Sequence, residues 1–149
     1  MPQPEGKVLY EAAEAGKLDE VEAAVDAGAP MEWANPDWYG RRAVHIASWQ
    51  GHKDVVAFLG SRGADVNAVT DSQETPLHYA AWSGHASVCT TLLALGADPA
   101  AKDKHGRTAL DVARASNNTE WQTVQDRRLR KATPFNFAEC VAVLEAAMR

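Results

Sequence analysis

Thr75-Pro76-Leu77-His78-Tyr79-Ala80-Ala81-Trp82-Ser83-Gly84-His85, with Gly96-Ala97-Asp98 twelve positions beyond Gly84, is the stretch that decides the fold. It reads as two short helices. The first runs from about 76 to 83 and stops at Gly84, the second from about 87 to 95 and stops at Gly96, since a residue without Cβ accepts the left-handed C-terminal turn. Thr75 is a good N-cap, able to accept a backbone N–H. Pro76 loses nothing at the first helical position, where that N–H has no helical partner. In the second helix Val88, Cys89, Leu92 and Leu93 follow i, i+1, i+4, i+5 spacing, an apolar stripe that one such unit alone cannot cover. Neighbouring units must cover it.

Those neighbours are visible in the sequence. At a shift of 33 residues, 41–73 matches 74–106 at eleven positions, where chance predicts roughly two or three. The matches are His45/His78, Ala47/Ala80, Trp49/Trp82, Gly51/Gly84, His52/His85, Val55/Val88, Leu59/Leu92, Gly63/Gly96, Ala64/Ala97, Asp65/Asp98 and Ala68/Ala101. A weaker copy precedes them, with Gly16 and Gly28 lying 35 residues before Gly51 and Gly63. A fourth begins at Thr108-Ala109-Leu110-Asp111-Val112-Ala113.

Residues 75–85 with 96–98 resemble the ankyrin repeat almost letter for letter. Residues 41–74 repeat the pattern through Gly63-Ala64-Asp65-Val66-Asn67-Ala68, although Arg42-Ala43 replaces the usual Thr-Pro start and predicts a frayed helix there. The resemblance covers about residues 7–117 and, further on, 137–148. It implies an all-α fold: an ankyrin-repeat α-solenoid of about four helix pairs with projecting β-hairpin loops. Residues 1–149 form a single domain on this reading, with units at about 7–40, 41–73, 74–106 and 107–149. The resemblance also implies a binding role.

Both ends read as caps. The first unit places Glu11, Glu14, Lys17, Asp19, Glu20, Glu22 and Asp26 where inner units are more apolar, as an end unit facing water should. The fourth departs from the pattern, because its second helix needs apolar residues at 121, 122, 125 and 126, which are Trp121, Gln122, Gln125 and Asp126. A good stripe reappears at Phe137, Cys140, Val141, Leu144 and Met148. One reading takes this as the displaced second helix after an insertion over about 118–136. The alternative makes 119–130 the second helix and 134–148 an added cap. Either way a helix covers 137–148.

Bulk properties narrow the function classes. A chain of 149 residues with 46% hydrophobic and 23% charged residues suits one folded domain rather than a disordered segment. The net charge of -5 is uneven: residues 1–40 carry -7 and residues 41–149 carry +2. An acidic pole of this kind steers basic partners and repels phosphates, which argues against nucleic acid; the plainer reading is a solvated end that keeps the protein soluble. Cys89 and Cys140 lie in apolar helical patterns as small hydrophobes, so no disulfide framework is indicated and a reducing compartment is favoured. The start lacks the apolar core of a secretory signal, and no apolar run approaches membrane-spanning length. The expectation is a cytoplasmic or nuclear protein, monomeric alone, with no membrane association. The Asn117-Asn118-Thr119 sequon then carries no meaning.

In ankyrin proteins the helical residues just before the first glycine face the concave side. By that resemblance they are Glu14-Ala15, Trp49-Gln50, Trp82-Ser83 and Ala115-Ser116. Trp49 and Trp82 become stacked neighbours. They are either partner-binding indoles, a side chain common in interface hot spots, or rings lying flat in the groove between units and filling space. Loop tips are the family's second binding surface: Trp38, Tyr39 and Arg41; then Asp71, Ser72 and Glu74; then Lys104, His105 and Arg107. The first loop is two residues longer and holds Trp33 and Pro36, so part of its aromatic content pins the loop. Arg127, Arg128, Arg130 and Lys131 read as a solvated loop, or as a dock for an acidic peptide or RNA backbone that lacks the aromatic interleaving expected of one.

The five histidines need no metal. His45 and His78 occupy the helix-start position and His52 and His85 the turn, and no cysteine or carboxylate joins them at ligand spacing. Their rings are expected to bond backbone and loop groups between units. No phosphate loop, nucleophile elbow or metalloprotease pair occurs, so neither enzyme activity, a cofactor, a metal nor a small-molecule substrate is expected. Asn67 within Gly-Ala-Asp-Val-Asn resembles the asparagine hydroxylated in ankyrin proteins; hairpin geometry explains it equally well. The leading expectation is a non-catalytic adaptor or scaffold that receives a partner protein in a groove lined by Trp38, Tyr39, Arg41, Trp49 and Trp82. Gln50, Asp71, Ser72, Glu74, Ser83, Lys104, His105 and Arg107 complete the candidate surface. The alternative is an assembly chaperone or structural subunit binding a basic client through the acidic first unit.

Overall fold

The computed structural model describes residues 5–117 and 136–149. These form α1 (Glu5–Ala15), α2 (Leu18–Asp26), a 3-10 turn at Pro36–Trp38, α3 (Ala43–Gln50), α4 (Lys53–Ser61), α5 (Pro76–Ser83), α6 (Ala86–Ala94), α7 (Ala109–Asn117) and α8 (Phe137–Ala147). The helix stops fall where glycine permits them: Gly51 at φ 80° and Gly84 at φ 74° close α3 and α5 in the left-handed conformation. At the start of α5 the Thr75 hydroxyl oxygen accepts from His78 N–H at 3.3 Å, and His78 Nδ1 accepts from Thr75 N–H at 3.1 Å. Helix α3 has no Thr-Pro start yet begins at the equivalent residue. His45 Nδ1 takes the Arg42 N–H at 3.0 Å and so supplies the cap that residue 42 does not, which corrects the expectation of a frayed end.

Two layers result. The first helices α1, α3, α5 and α7 pack in series, the second helices α2, α4, α6 and α8 pack in series, and each pair packs internally. Leu9, Val21, Val44, Val55, Val56, Leu59, Leu77, Val88, Leu92 and Leu144 are fully buried between the layers. Burying each such side chain contributes about 1.5–3 kcal/mol, and the repeated spacing of Leu59 and Leu92 builds one continuous core out of separate units.

Turn glycines fix the stacking distance. A Cβ on Gly16 would meet the His52 ring at 2.5 Å, one on Gly51 the His85 ring at 2.6 Å, and one on Gly84 the Phe137 ring at 3.0 Å. Phe137 thus occupies over Gly84 the place that a histidine occupies over each earlier glycine. Asn136 N–H donates to Gly84 O at 2.7 Å, and the Asn136 side chain caps α8 by accepting from Glu139 N–H at 3.1 Å. Helix α8 therefore seats on α6 and α7, reinforced by an Arg114–Glu145 ion pair at 2.9 Å. The competing readings of the segment between α7 and α8, and the basic residues Arg127, Arg128, Arg130 and Lys131, fall outside the described residues.

The loops joining units are tight turns. Each is closed by an equivalent backbone bond, Asn35 N–H to Arg41 O at 2.8 Å, Thr70 N–H to Glu74 O at 3.0 Å and Asp103 N–H to Arg107 O at 2.9 Å. A return bond reaches the carbonyl of the same first residue from Gly40, Gln73 and Gly106 N–H respectively, each at 2.9 Å. No strand forms among the described residues, whose β character is limited to the isolated bridge between Asn35 and Arg41. The expected β-hairpins are therefore turns rather than paired strands. Three buried side chains at one equivalent position organise them. Asn35 Oδ1 accepts from Asp37 N–H, the Thr70 hydroxyl from Ser72 and Glu74 N–H, and Asp103 Oδ1 from His105 and Arg107 N–H. Adjacent tips are stitched together by Asp71 N–H to Tyr39 O at 2.9 Å and Lys104 N–H to Ser72 O at 3.0 Å.

Candidate functional site

Residue 49 and residue 82 hold the same place on α3 and α5, and because those helices are packed side by side their indoles meet at 4.9 Å between centroids, tilted by 58°. Tyr79, one turn earlier on α5, stacks on Trp49 at 5.5 Å and 18°. Arg41 arrives from the first loop and lays its guanidinium 4.3 Å from the Trp49 centroid, 5.1 Å from Tyr79 and 5.6 Å from Trp38. Its Nε donates to the Tyr79 hydroxyl at 3.0 Å, which fixes the fork in the plane that cation–π contact needs. Trp38, Arg41, Trp49 and Trp82 thereby form one continuous aromatic run from the first loop tip to α5.

Exposure divides this run into two parts. Trp82 at 51%, Trp38 at 53% and Tyr39 at 64% are open to solvent. Trp49 and Arg41 are half-buried and Tyr79 is buried, so they form the floor. The two rings therefore differ: Trp49 fills space against the core, as the second reading of the pair expects, and Trp82 faces outward. Tyr10 on α1 completes the floor, with burial raising its phenol to about 12 against the opposing Arg41 charge. Burial likewise raises the Tyr79 phenol, so both hydroxyls stay protonated and neutral.

Other candidate residues divide in the same way. Gln50, Asp71, Lys104, His105 and Arg107 are exposed and Ser72 and Glu74 half-exposed. Arg107 is already engaged: its Nε pairs with Asp103 Oδ2 at 3.0 Å, and its carbonyl accepts from His78 at 2.8 Å. Burial alone would raise the Asp103 carboxyl, but the bonds from Arg107 and His105 outweigh it and hold the group below the usual carboxylate range. Ser83 departs most from expectation, being buried with its hydroxyl unbonded among the described residues, where the equivalent Gln50 is exposed. It lies beside Gly84, the turn that Phe137 and Asn136 close over. Trp33 packs edge-on to Tyr10 at 6.1 Å and against Gly6, pinning its loop to α1.

The histidines bond between units. His45 Nε2 donates to Ala68 O at 2.9 Å and Glu74 O at 3.1 Å, with Nδ1 fixed as the acceptor by Arg42 N–H. His52 Nε2 reaches Glu14 O at 2.9 Å, and His85 bonds the Trp49 backbone. Asn67 bridges in the same manner, accepting from Asp98 N–H at 2.7 Å and donating to Gly96 O at 3.2 Å. Among the described residues no group of three or more histidines, cysteines or acidic side chains is placed to hold a metal ion, and no helix is long and apolar enough to cross a membrane.

Sequence reasoning missed Tyr79, Tyr10 and the buried turn organisers Asn35, Thr70 and Asp103. Tyr79 carries no repeat signal, because Ile46 stands at that place one unit earlier. The organisers share a position but not an identity, so matching by identity passes over them.

Comparison with family models gives two matches. Residues 3–70 match a model described as ankyrin repeats (3 copies), and residues 59–113 match one described as ankyrin repeats (many copies). The two overlap and run continuously from the first helix pair into α7. No curated protein matches the chain.

Proposed function

Because this chain belongs to the ankyrin-repeat proteins, a family of protein–protein interaction modules, we propose that it is a non-catalytic adaptor docking a partner protein on the face formed by Trp38, Tyr39 and Trp82. The observation that carries this reading is the run of exposed aromatics on a rigid floor. Large rings are costly to leave in water; Trp38 and Trp82 are linked through Arg41 and Trp49 rather than scattered, and Tyr39 follows Trp38 at the same loop tip. Rigid aromatic anchors bury much area on binding and lose little side-chain entropy. Gln50, Asp71, Ser72, Glu74, Lys104, His105 and Arg107 stand around that run as its polar rim. On this reading α8 serves as the displaced second helix of the fourth unit, closing the stack and leaving the docking face to the inner units.

The chaperone reading, in which the acidic first unit shields a basic client, is the weaker one. The open indoles are Trp82 of the third unit and Trp38 at the loop tip after α2, and neither stands on the acidic helices α1 and α2. The test is affinity capture with quantitative mass spectrometry, comparing wild type with the Trp38→Ala/Trp82→Ala variant. Loss of a specific protein from the variant, with an unchanged circular dichroism spectrum, supports the adaptor reading; identical capture by both proteins rejects it.

A further inference from the structure

The docking face carries an uncompensated charge that specifies its occupant. Asp37 adjoins Trp38, and Asp71 reaches the same turn from the second loop, its Oδ1 3.0 Å from where a Gly40 Cβ would stand. Glu14 acts electrostatically on Tyr10, and Glu74 on Tyr79, so both flank the aromatic floor. None of these four carboxylates holds an ion pair among the described residues, whereas Glu32, Asp26, Asp103 and Glu145 all do. Against them on this face stand Arg41, committed to the rings beneath it, and Lys104 at the third tip.

We propose that the occupant is a segment of a partner protein carrying an arginine beside an apolar residue. The arginine docks at Trp38 and Tyr39 between the carboxylates of Asp37 and Asp71, and the apolar residue covers the open face of Trp82. This rests on the docking reading above and adds the chemistry of the partner. Arginine fits better than lysine, because a planar guanidinium stacks on rings and pairs with carboxylates in a fork. Arg41 already displays that geometry on Trp49 at 4.3 Å. The same observations set aside other occupants. An acidic segment or a nucleic-acid backbone meets four free carboxylates. A second copy of this chain would bring the same acidic face against itself. A methylated-lysine cage needs several free ring faces around one point, and Arg41 takes those of Trp49 and Tyr79.

The experiment is panning of a displayed library of short random linear peptides against the immobilised full chain, followed by calorimetry with the recovered peptides. Wild type, Trp82→Ala and Asp37→Asn/Asp71→Asn are compared, each checked for folding by circular dichroism. The inference expects recovered peptides to share an arginine near an apolar residue. It also expects affinity to fall roughly fivefold in the double carboxamide variant and on replacing the peptide arginine by glutamine, with little further loss when both changes are combined. Peptides that depend on Trp82 but lack a basic residue, or bind the carboxamide variant equally well, overturn the inference and leave the docking reading standing. Recovery of no peptide, or of peptides indifferent to Trp82→Ala, overturns the docking reading and the inference with it.

Discussion

The Arg41 guanidinium lies 4.3 Å from the centre of the Trp49 ring, and its Nε is bonded to the Tyr79 hydroxyl at 3.0 Å. A loop residue is thereby locked onto two helices of different units. Arg41→Ala removes the cation–π contact and leaves the phenol short of a donor, so it should lower stability by about 1–2 kcal/mol. Arg41→Lys keeps the charge but not the planar fork and should recover less than half of the loss. Urea denaturation of the three proteins measures this.

The two equivalent tryptophans should behave differently. Trp49→Ala empties a half-buried space against Tyr79 and the core and should cost about 2–3 kcal/mol. Trp82→Ala, at a ring half in water, should cost less than about 1 kcal/mol while removing partner binding. Thermal melts of both variants separate the floor from the docking ring.

Fold and site were unequally legible in the sequence. The spacing of Gly51, Gly63, Gly84 and Gly96 marked the helix stops, because only a residue without Cβ takes those turns cheaply, and the resemblance at residues 75–85 supplied the rest of the unit. What escaped was contact across units. Nothing in the string places Arg41 against Tyr79 or Asp71 against Gly40, since these pairs meet only after neighbouring units stack. The arrival of Phe137 over Gly84 was hidden for a related reason. The position is held by histidine in earlier units, and a bulky apolar ring fills it after a long break in the register.

Burial lowers the His45 pKa to about 4, below its ordinary value of 6.5. An unfolded chain takes up a proton that the folded ring refuses, so this contribution is complete above about pH 6.5 and is lost as pH falls towards 4. The loss attributable to His45 is on the order of 3 kcal/mol. His85, also lowered by burial, adds to it in the same direction. Denaturation midpoints should fall across this window, and less steeply in His45→Gln, whose amide keeps a donor for Ala68 O.

Gln73 adopts φ 60° at the turn position that Gly106, at φ 74°, occupies one unit later. Gln73→Gly should therefore stabilise the protein by roughly 0.5–1 kcal/mol, the left-handed cost outweighing the added freedom of the unfolded chain. Gly51→Ala should do the opposite and more strongly than Gly63→Ala. Both have positive φ, but only the Gly51 Cβ would strike a neighbour, the His85 ring. Melting temperatures of the three variants decide it.

Cys89 on α6 and Cys140 on α8 are fully buried and hydrogen-bonded to each other. The bond to Cys140, together with burial, raises the Cys89 thiol far above its ordinary pKa and keeps it protonated. Neither cysteine should react with iodoacetamide in the native protein, and both should react in denaturant. Prompt native labelling of Cys140 would mean that α8 leaves the stack.

Hydroxyl-radical footprinting of the chain, free and saturated with a bound partner segment, tests the docking face most directly. Trp38, Tyr39 and Trp82 should each be strongly oxidised when free and protected in the complex, while Phe58 on α4 changes little. Protection on the α2, α4 and α6 side, with those three rings still oxidised, would contradict the account.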